Sequence, residues 1–345
     1  MTRRILLIHT EGGLGDVLLS SPIALALKRQ WPDATITAWV RQDAWPLFDG
    51  SDCFDEPLMV DGSGFPAEWR ALRRGRFDVA VLPWSTGRQA ALAWLAGIGT
   101  RVGQARRLAY SWMFTHRVDV ESARRNTTRH CVEIQLGYAR ALGCPTDGLW
   151  PRLVVSDAEI RAAGEWLAAR AVDPGRPVCS LHVGKGLRLT FDRWPVAGFV
   201  RVGRGLVEAG FQVVLTGSAA ERPIVDRVSQ DIGPGAASIA GETNLRTLAA
   251  ILGRMAVVVG PDAGPGHIAA ALGVPVVAIF AVKSDLVSRW RPWSVRSRVV
   301  TTAPWVCPKR CVKEACARFD CLEAFDAGAV VRAALDVFQG RSRED

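Results

Sequence analysis

Short apolar runs alternate with longer amphipathic stretches along nearly the whole chain. RILLIHT (4–10), ATITAWV (34–40), EPLMV (56–60) and FDVAVLPW (77–84) are rich in aliphatic and β-branched residues and read as strands. Between them, 16–30, 66–75 and 87–95 carry helical spacing, with Pro22 near the start of the first. An irregular basic stretch is expected over 101–125, then a long helix over 128–142. The second half repeats the pattern, with strands at PVCSLHV (177–183), FQVVLTG (211–217), SIAG (238–241), AVVVG (256–260) and VPVVAIF (274–280). Helices are expected over 195–209 (opened by its proline), over 221–231, from a cap at Thr243 or Asn244 to Met255, after Gly264, and over 326–339. Strand–helix alternation of this kind builds parallel sheets with helices on both faces.

A chain of 345 residues is long for one core, so two such α/β domains are expected. The Pro/Gly/charged segment Asp173–Pro177 reads as the linker. It gives an N-terminal domain over 1–172 and a C-terminal domain over 173–325. The terminal helix over 326–345 is expected to pack back on the first domain. Ligands in such folds bind past the carboxyl ends of the strands, here in a cleft between the two sheets.

Composition narrows the class. With 49% hydrophobic and 22% charged residues the chain is globular rather than disordered. No apolar run approaches the roughly 20 residues that cross a bilayer, and the opening MTRRILLIHT reads as a strand rather than a signal. A cytoplasmic location follows as the expectation. The net charge of +9 is carried largely by arginine, crowded at 70–76, 101–107 and 117–129. Such a surface suits phosphates on a nucleic acid, a phosphorylated glycolipid or an anionic membrane, or is simply a basic solvated face. No zinc-finger, helix-turn-helix or RNP signature accompanies it, so nucleic acid is not the expected partner. Of eight cysteines, Cys53, Cys131, Cys144 and Cys179 are scattered in apolar context and read as core. Cys307, Cys311, Cys316 and Cys321 are bunched, but not at a standard zinc spacing, and no metal or cofactor is expected. Most of the thirteen tryptophans are expected in the cores.

Three glycine-rich loops carry the candidate chemistry. In VVVGPDAGPGHIAAALGVPVVAIF (257–280) a β-branched run ends in a small-residue loop that opens an alanine-rich helix. Gly264 and Gly266 let a ligand approach the backbone, and the helix start offers N–H groups to a phosphate. Asp262 and His267 flank that seat with an acceptor and a switchable donor. In LHVGKGLRLTFDRWP (181–195), Lys185, Arg188 and Arg193 among glycines either clamp a diphosphate or are a solvated loop. Glu221, at the next helix start, either accepts from ribose hydroxyls or complements the helix dipole. In EGGLGDVLLSSP (11–22), Gly12, Gly13 and Gly15 only partly match a dinucleotide fingerprint, and no acidic ribose partner follows, so NAD is a weak reading. Asp16 at the mouth of that loop is either a base for a hydroxyl or a helix cap.

These segments resemble the ADP-heptose:lipopolysaccharide heptosyltransferases, glycosyltransferase family nine. EGGLGDVLLSSPIALALKRQWP resembles that family's opening motif and GPDAGPGHIAAALGVPVVAIF its donor motif; GSAAER, GETNLRTLAAIL and RWPVAGF resemble it too. The resemblance implies a GT-B fold: two Rossmann-like, doubly wound parallel-sheet domains facing a central cleft, with acceptor on the first and nucleotide sugar on the second. It implies transfer with inversion, Asp16 as the base beside the acceptor-side loop Gly12, Gly13 and Gly15. Donor contacts fall on Gly184, Lys185, Glu221, Asp262, Ala263, Gly264 and His267, joined by Arg188, Arg193 and Thr243. ADP-heptose or a related nucleotide sugar is the implied donor, and a phosphorylated glycolipid at the inner membrane surface the implied acceptor. Asp192 stands where the family commonly has a lysine, Ala263 where it has a hydroxyl residue, and Ala281 where glycine is common. The alternatives are another nucleotide sugar, a protein or secondary-glycan acceptor, and a donor-binding protein without transfer.

Overall fold

The computed structural model describes residues 2–58, 64–106, 109–120, 128–184, 196–280, 287–294, 296–302 and 324–341. The chain divides into two compact units, Met1–Val154 and Val155–Asp345.

The first unit runs β1 (Arg4–His9), α1 (Leu14–Gln30), β2 (Thr35–Val40), β3 (Glu56–Pro57), α2 (Phe65–Gly75), β4 (Val79–Val81), α3 (Gly87–Leu95), β5 (Thr100–Gln104), β6 (His116–Val118) and α4 (Cys131–Arg140). The sheet order is β3-β2-β1-β4-β5-β6, parallel throughout. Helices cover both faces, so β1 is a continuous apolar run: Ile5, Leu6, Leu7 and Ile8 are wholly buried. Leu6 and Ile8 pack with Leu72, Phe77, Leu92 and Phe114. Pro22 sits well inside α1 rather than near its start, and cannot donate to the Leu18 carbonyl. The Ser21 hydroxyl donates to that carbonyl instead, at 2.7 Å, so the helix continues.

The second unit contains α5 (Asp157–Ala168), β7 (Val178–His182), α6 (Val196–Glu208), β8 (Gln212–Thr216), α7 (Arg222–Ile232), β9 (Ala236–Ser238), α8 (Leu245–Gly253), β10 (Val257–Pro261), α9 (Gly264–Ala271), β11 (Val276–Phe280), α10 (Val287–Trp290), β12 (Ser297–Thr301) and a last helix, Ala327–Phe338. Its order, β12-β11-β10-β7-β8-β9, repeats that of the first sheet when strands are numbered within the unit. In both sheets the first and fourth strands are neighbours, and chain direction across the sheet reverses there. Crevices for ligands open past the carboxyl ends of such a pair.

Several expectations are corrected. The stretch expected to be irregular over 101–125 contains β5 and β6, whose arginines occupy exposed or half-buried positions beside buried Val102 and Gln104. β9 lies two residues earlier than SIAG, and β12 had no counterpart in the pattern. The domain boundary falls at 154/155 rather than 172/173, because α5 belongs to the second unit. Ser156 caps α5, its hydroxyl accepting from the Glu159 N–H at 3.3 Å while Glu159 accepts from the Ser156 N–H at 2.8 Å. The α5 helix then packs on α8. The last helix belongs to the second unit, where it packs on α6 and on β10–β12 with Val330, Ala334 and Val337 buried. Phe211–Phe338 and, from two residues before that helix, Phe199–Phe325 ring contacts fix it there.

Candidate active site

The switch point of the second sheet is lined by the ends of β7 and β10. Beyond β10 the chain passes Asp262 and enters α9 from Ala263, which is extended and offers no side-chain cap. The first N–H groups of α9 therefore lack the side-chain acceptor that a serine or threonine supplies at such a position. Gly264 and Gly266 open the helix around Pro265. His267 is buried, its Nε2 3.6 Å from Asp262 Oδ1, and its Nδ1 meets no partner among the described residues. That distance is beyond a hydrogen bond.

Beyond β7, His182 is buried and shares its Nδ1 with the Thr216 carbonyl and hydroxyl at 3.1 and 3.0 Å. Burial lowers its pKa, partly opposed by the charge of Glu221. Glu221 Oε2 accepts from the Ser218 N–H and hydroxyl, both at 2.8 Å. A Cβ on Gly184 would stand 1.9 Å from Glu221 Oε1, so that carboxylate lies directly against the Gly184 backbone. A Cβ on Gly260 would likewise meet His182 Cβ at 2.9 Å. His182, Asp262, Ala263, Gly266 and His267 line one small crevice together with Trp290. Thr243 is half-buried, and its neighbour Asn244 is the α8 cap, accepting from the Thr247 N–H at 2.8 Å.

In the first unit the same topological position holds Asp16. It stands in the first turn of α1, and its Oδ2 accepts from the Gly13 N–H at 2.7 Å. Gly12 adopts φ +83°, and a Cβ there would meet Asp16 Oδ2 at 2.6 Å; one on Gly13 would stay 3.6 Å away. The loop is braced from two sides. Arg41, paired with Asp43, donates to the Gly12 carbonyl at 3.1 Å, and Gln89 of α3 donates to the Thr10 hydroxyl. The Arg41 hydrogen bond holds the Asp43 carboxyl below its ordinary range. Just before the loop, His9 is buried, and burial lowers its pKa to about 4. Neither of its ring nitrogens meets a partner among the described residues.

The model of glycosyltransferase family 9 (heptosyltransferase) matches residues 67–318. The chain belongs to that family. It is 26% identical over 313 residues to lipopolysaccharide heptosyltransferase 2 of Escherichia coli K12, covering 86% of this chain and 87% of the relative. Its fold superposes on the family 9 glycosyl transferase of Veillonella parvula with a TM-score of 0.80, at 20% identity and 98% coverage of each chain. The E. coli ADP-heptose lps heptosyltransferase II gives 0.79 at 22% identity, covering 98% of this chain and 99% of that one. The fold is GT-B, and the protein is a glycosyltransferase.

Within this family 9 member, Gly184, Glu221, Asp262, Ala263, Gly264 and His267 come together around the second switch point, and Asp16 with Gly12, Gly13 and Gly15 forms the first. Lys185, Arg188, Asp192, Arg193, Ala281 and the four bunched cysteines lie outside the described residues. The remaining cysteines are all buried. Sequence reasoning missed His182, Arg41 and Gln89. His182 carried one signal, its place two residues before Gly184. The other two act through loops far away in sequence, which no local motif records. Among the described residues, no helix is long and apolar enough to cross a membrane.

Proposed function

We propose that this family 9 enzyme transfers heptose from ADP-heptose to a sugar hydroxyl of the lipopolysaccharide inner core, with inversion at the anomeric carbon. The observation that carries this reading is the start of α9, where Asp262 and His267 flank backbone N–H groups left without a side-chain cap. A diphosphate supplies the acceptor oxygens that such a helix start lacks. The names of the E. coli relatives, which specify lipopolysaccharide and ADP-heptose, supply the sugar and the acceptor.

In the proposed reaction Asp16 takes the proton of the acceptor hydroxyl. The acceptor oxygen attacks the anomeric carbon from the face opposite the diphosphate. The bond from that carbon to the phosphate oxygen breaks, and its electron pair departs with ADP. The helix dipole of α9 and the charges of Lys185, Arg188 and Arg193 stabilise the leaving group. Glu221 and Thr243 take the nucleoside end. The reaction runs on the cytoplasmic face of the inner membrane, without a metal in this scheme.

Thermal shift separates the donors. At 100 times its dissociation constant, ADP-heptose stabilises the protein by about 2.7 kcal/mol, and NAD has no effect. Turnover with a lipid-core acceptor then gives a product whose anomeric configuration, read by NMR, is opposite to that of the donor. A retained configuration, or a shift produced by NAD and not by ADP-heptose, removes the proposal. A donor-binding role without transfer has Ala263 in its favour; it predicts the shift without turnover.

A further inference from the structure

The first unit carries an exposed aromatic surface that the site does not use. Trp94, Leu95 and Trp112 are 43%, 45% and 54% exposed, although large apolar side chains elsewhere are mostly buried. They are contiguous. The Trp94 and Trp112 rings meet edge-on at 5.4 Å, and the Trp69 indole N–H donates to the Leu95 carbonyl at 3.1 Å. Arg101 ties the segment after α3 to the turn that carries Trp112, donating to the Ile98 and Met113 carbonyls.

Basic charge borders it directly. Arg73 lies over the Trp69 ring, its Cζ 5.6 Å from the centroid. Arg70, Arg73 and Arg74 share one stripe of α2 by their three- and four-residue spacing, and all are exposed. None of the three makes an ion pair among the described residues, whereas Arg4, Arg41, Arg88, Arg106 and Arg152 do. The C-terminal ends of α2 and α3, and the turn before β6, lie at the amino edge of the sheet. Asp16 lies at the carboxyl edge, so an occupant of the patch leaves the Asp16 loop uncovered.

We infer that the Trp94–Leu95–Trp112 platform with the arginines of α2 is a docking surface for an anionic phospholipid bilayer. Indoles settle at headgroup depth, apolar body inward and N–H in the polar layer. The arginines meet lipid phosphates, each adding about fivefold in partition near an anionic surface. Neither signal alone anchors a protein stably, and the surface holds both.

The test uses the full-length protein with two kinds of vesicle: phosphatidylglycerol mixed with phosphatidylcholine, and phosphatidylcholine alone. The parent is expected to sediment with the anionic vesicles only. Replacing Arg70, Arg73 and Arg74 together by glutamine lowers binding about a hundredfold, and lysines at the same positions largely restore it. Trp94→Ser with Trp112→Ser lowers binding at least tenfold and removes quenching by brominated lipid. Both sets of variants keep the parent's donor-induced thermal shift, so this surface and the donor reading fail separately. Equal binding to both vesicles, or variants that bind like the parent, overturns the inference. So does a tryptophan variant that loses self-association in sedimentation velocity while binding vesicles normally, because the patch is then a protein interface.

Discussion

Gly12 and Gly13 stand side by side, and only one of them is irreplaceable. Gly12 has φ +83° and no space for a Cβ beside Asp16, whereas Gly13 has ordinary φ and a 3.6 Å clearance. Gly12→Ala is expected to lower kcat at least tenfold by displacing the Asp16 carboxylate, while Gly13→Ala stays within a few-fold of the parent. Steady-state rates check both. His9 makes a second prediction at the same scale. Its folded pKa, about 4, lies below the ordinary 6.5, so between these values the unfolded chain binds more protons than the native one. Stability then rises with pH through this window, and acidification from pH 7 to 4 costs roughly 3 kcal/mol from this group alone. His9→Met is expected to flatten that part of the Tm–pH curve relative to the parent. A variant whose slope matches the parent's would assign the acid sensitivity elsewhere.

Elements were legible where burial on both faces makes a strand read as one apolar run. β1, β2, β7, β8, β10 and β11 stand close to their expected places for that reason. β5 and β6 escaped because these last two strands of the sheet, of which β6 is the edge, mix arginine and histidine among few apolar residues. The α5 helix escaped although its Ser156 and Glu159 have capping-box spacing, and the domain boundary was misplaced with it. The pairing that fixes α5 is long-range. Arg246 of α8 holds the Glu159 carboxylate in two contacts, one of them 2.7 Å, and draws its pKa down to about 2. Glu159→Gln is expected to cost about 1–2 kcal/mol in chemical denaturation at pH 7. The sign follows from the lowered value: the contribution is full above pH 4.5 and fades as pH falls toward 2. Parent and variant curves should therefore converge in acid.

At the scale of the whole molecule, one topology is used twice, and each copy puts its candidate chemistry at the same place, past the first strand and its fourth-strand neighbour. The site was readable from sequence because such loops need glycine beside the reactive side chain, a local requirement. What supports each loop was not readable, because Arg41, Gln89 and His182 act on backbone or neighbours brought in by the sheet. The proposed division of labour, proton transfer in the first unit and donor binding in the second, makes the two functions separable by mutation. Asp16→Asn retains an oxygen to accept from the Gly13 N–H, so the start of α1 persists while the base is gone. Its turnover should fall by about 10²–10⁴ with the ADP-heptose thermal shift intact. Gly184→Ala should do the reverse: its Cβ cannot coexist with Glu221 as placed, so the carboxylate must leave its position against the loop. Loss of one charged acceptor weakens donor binding by about tenfold or more, raising KM and shrinking the thermal shift before kcat falls. If Asp16→Asn abolished the donor shift, or Gly184→Ala left it unchanged, the assignment of the two loops would be wrong.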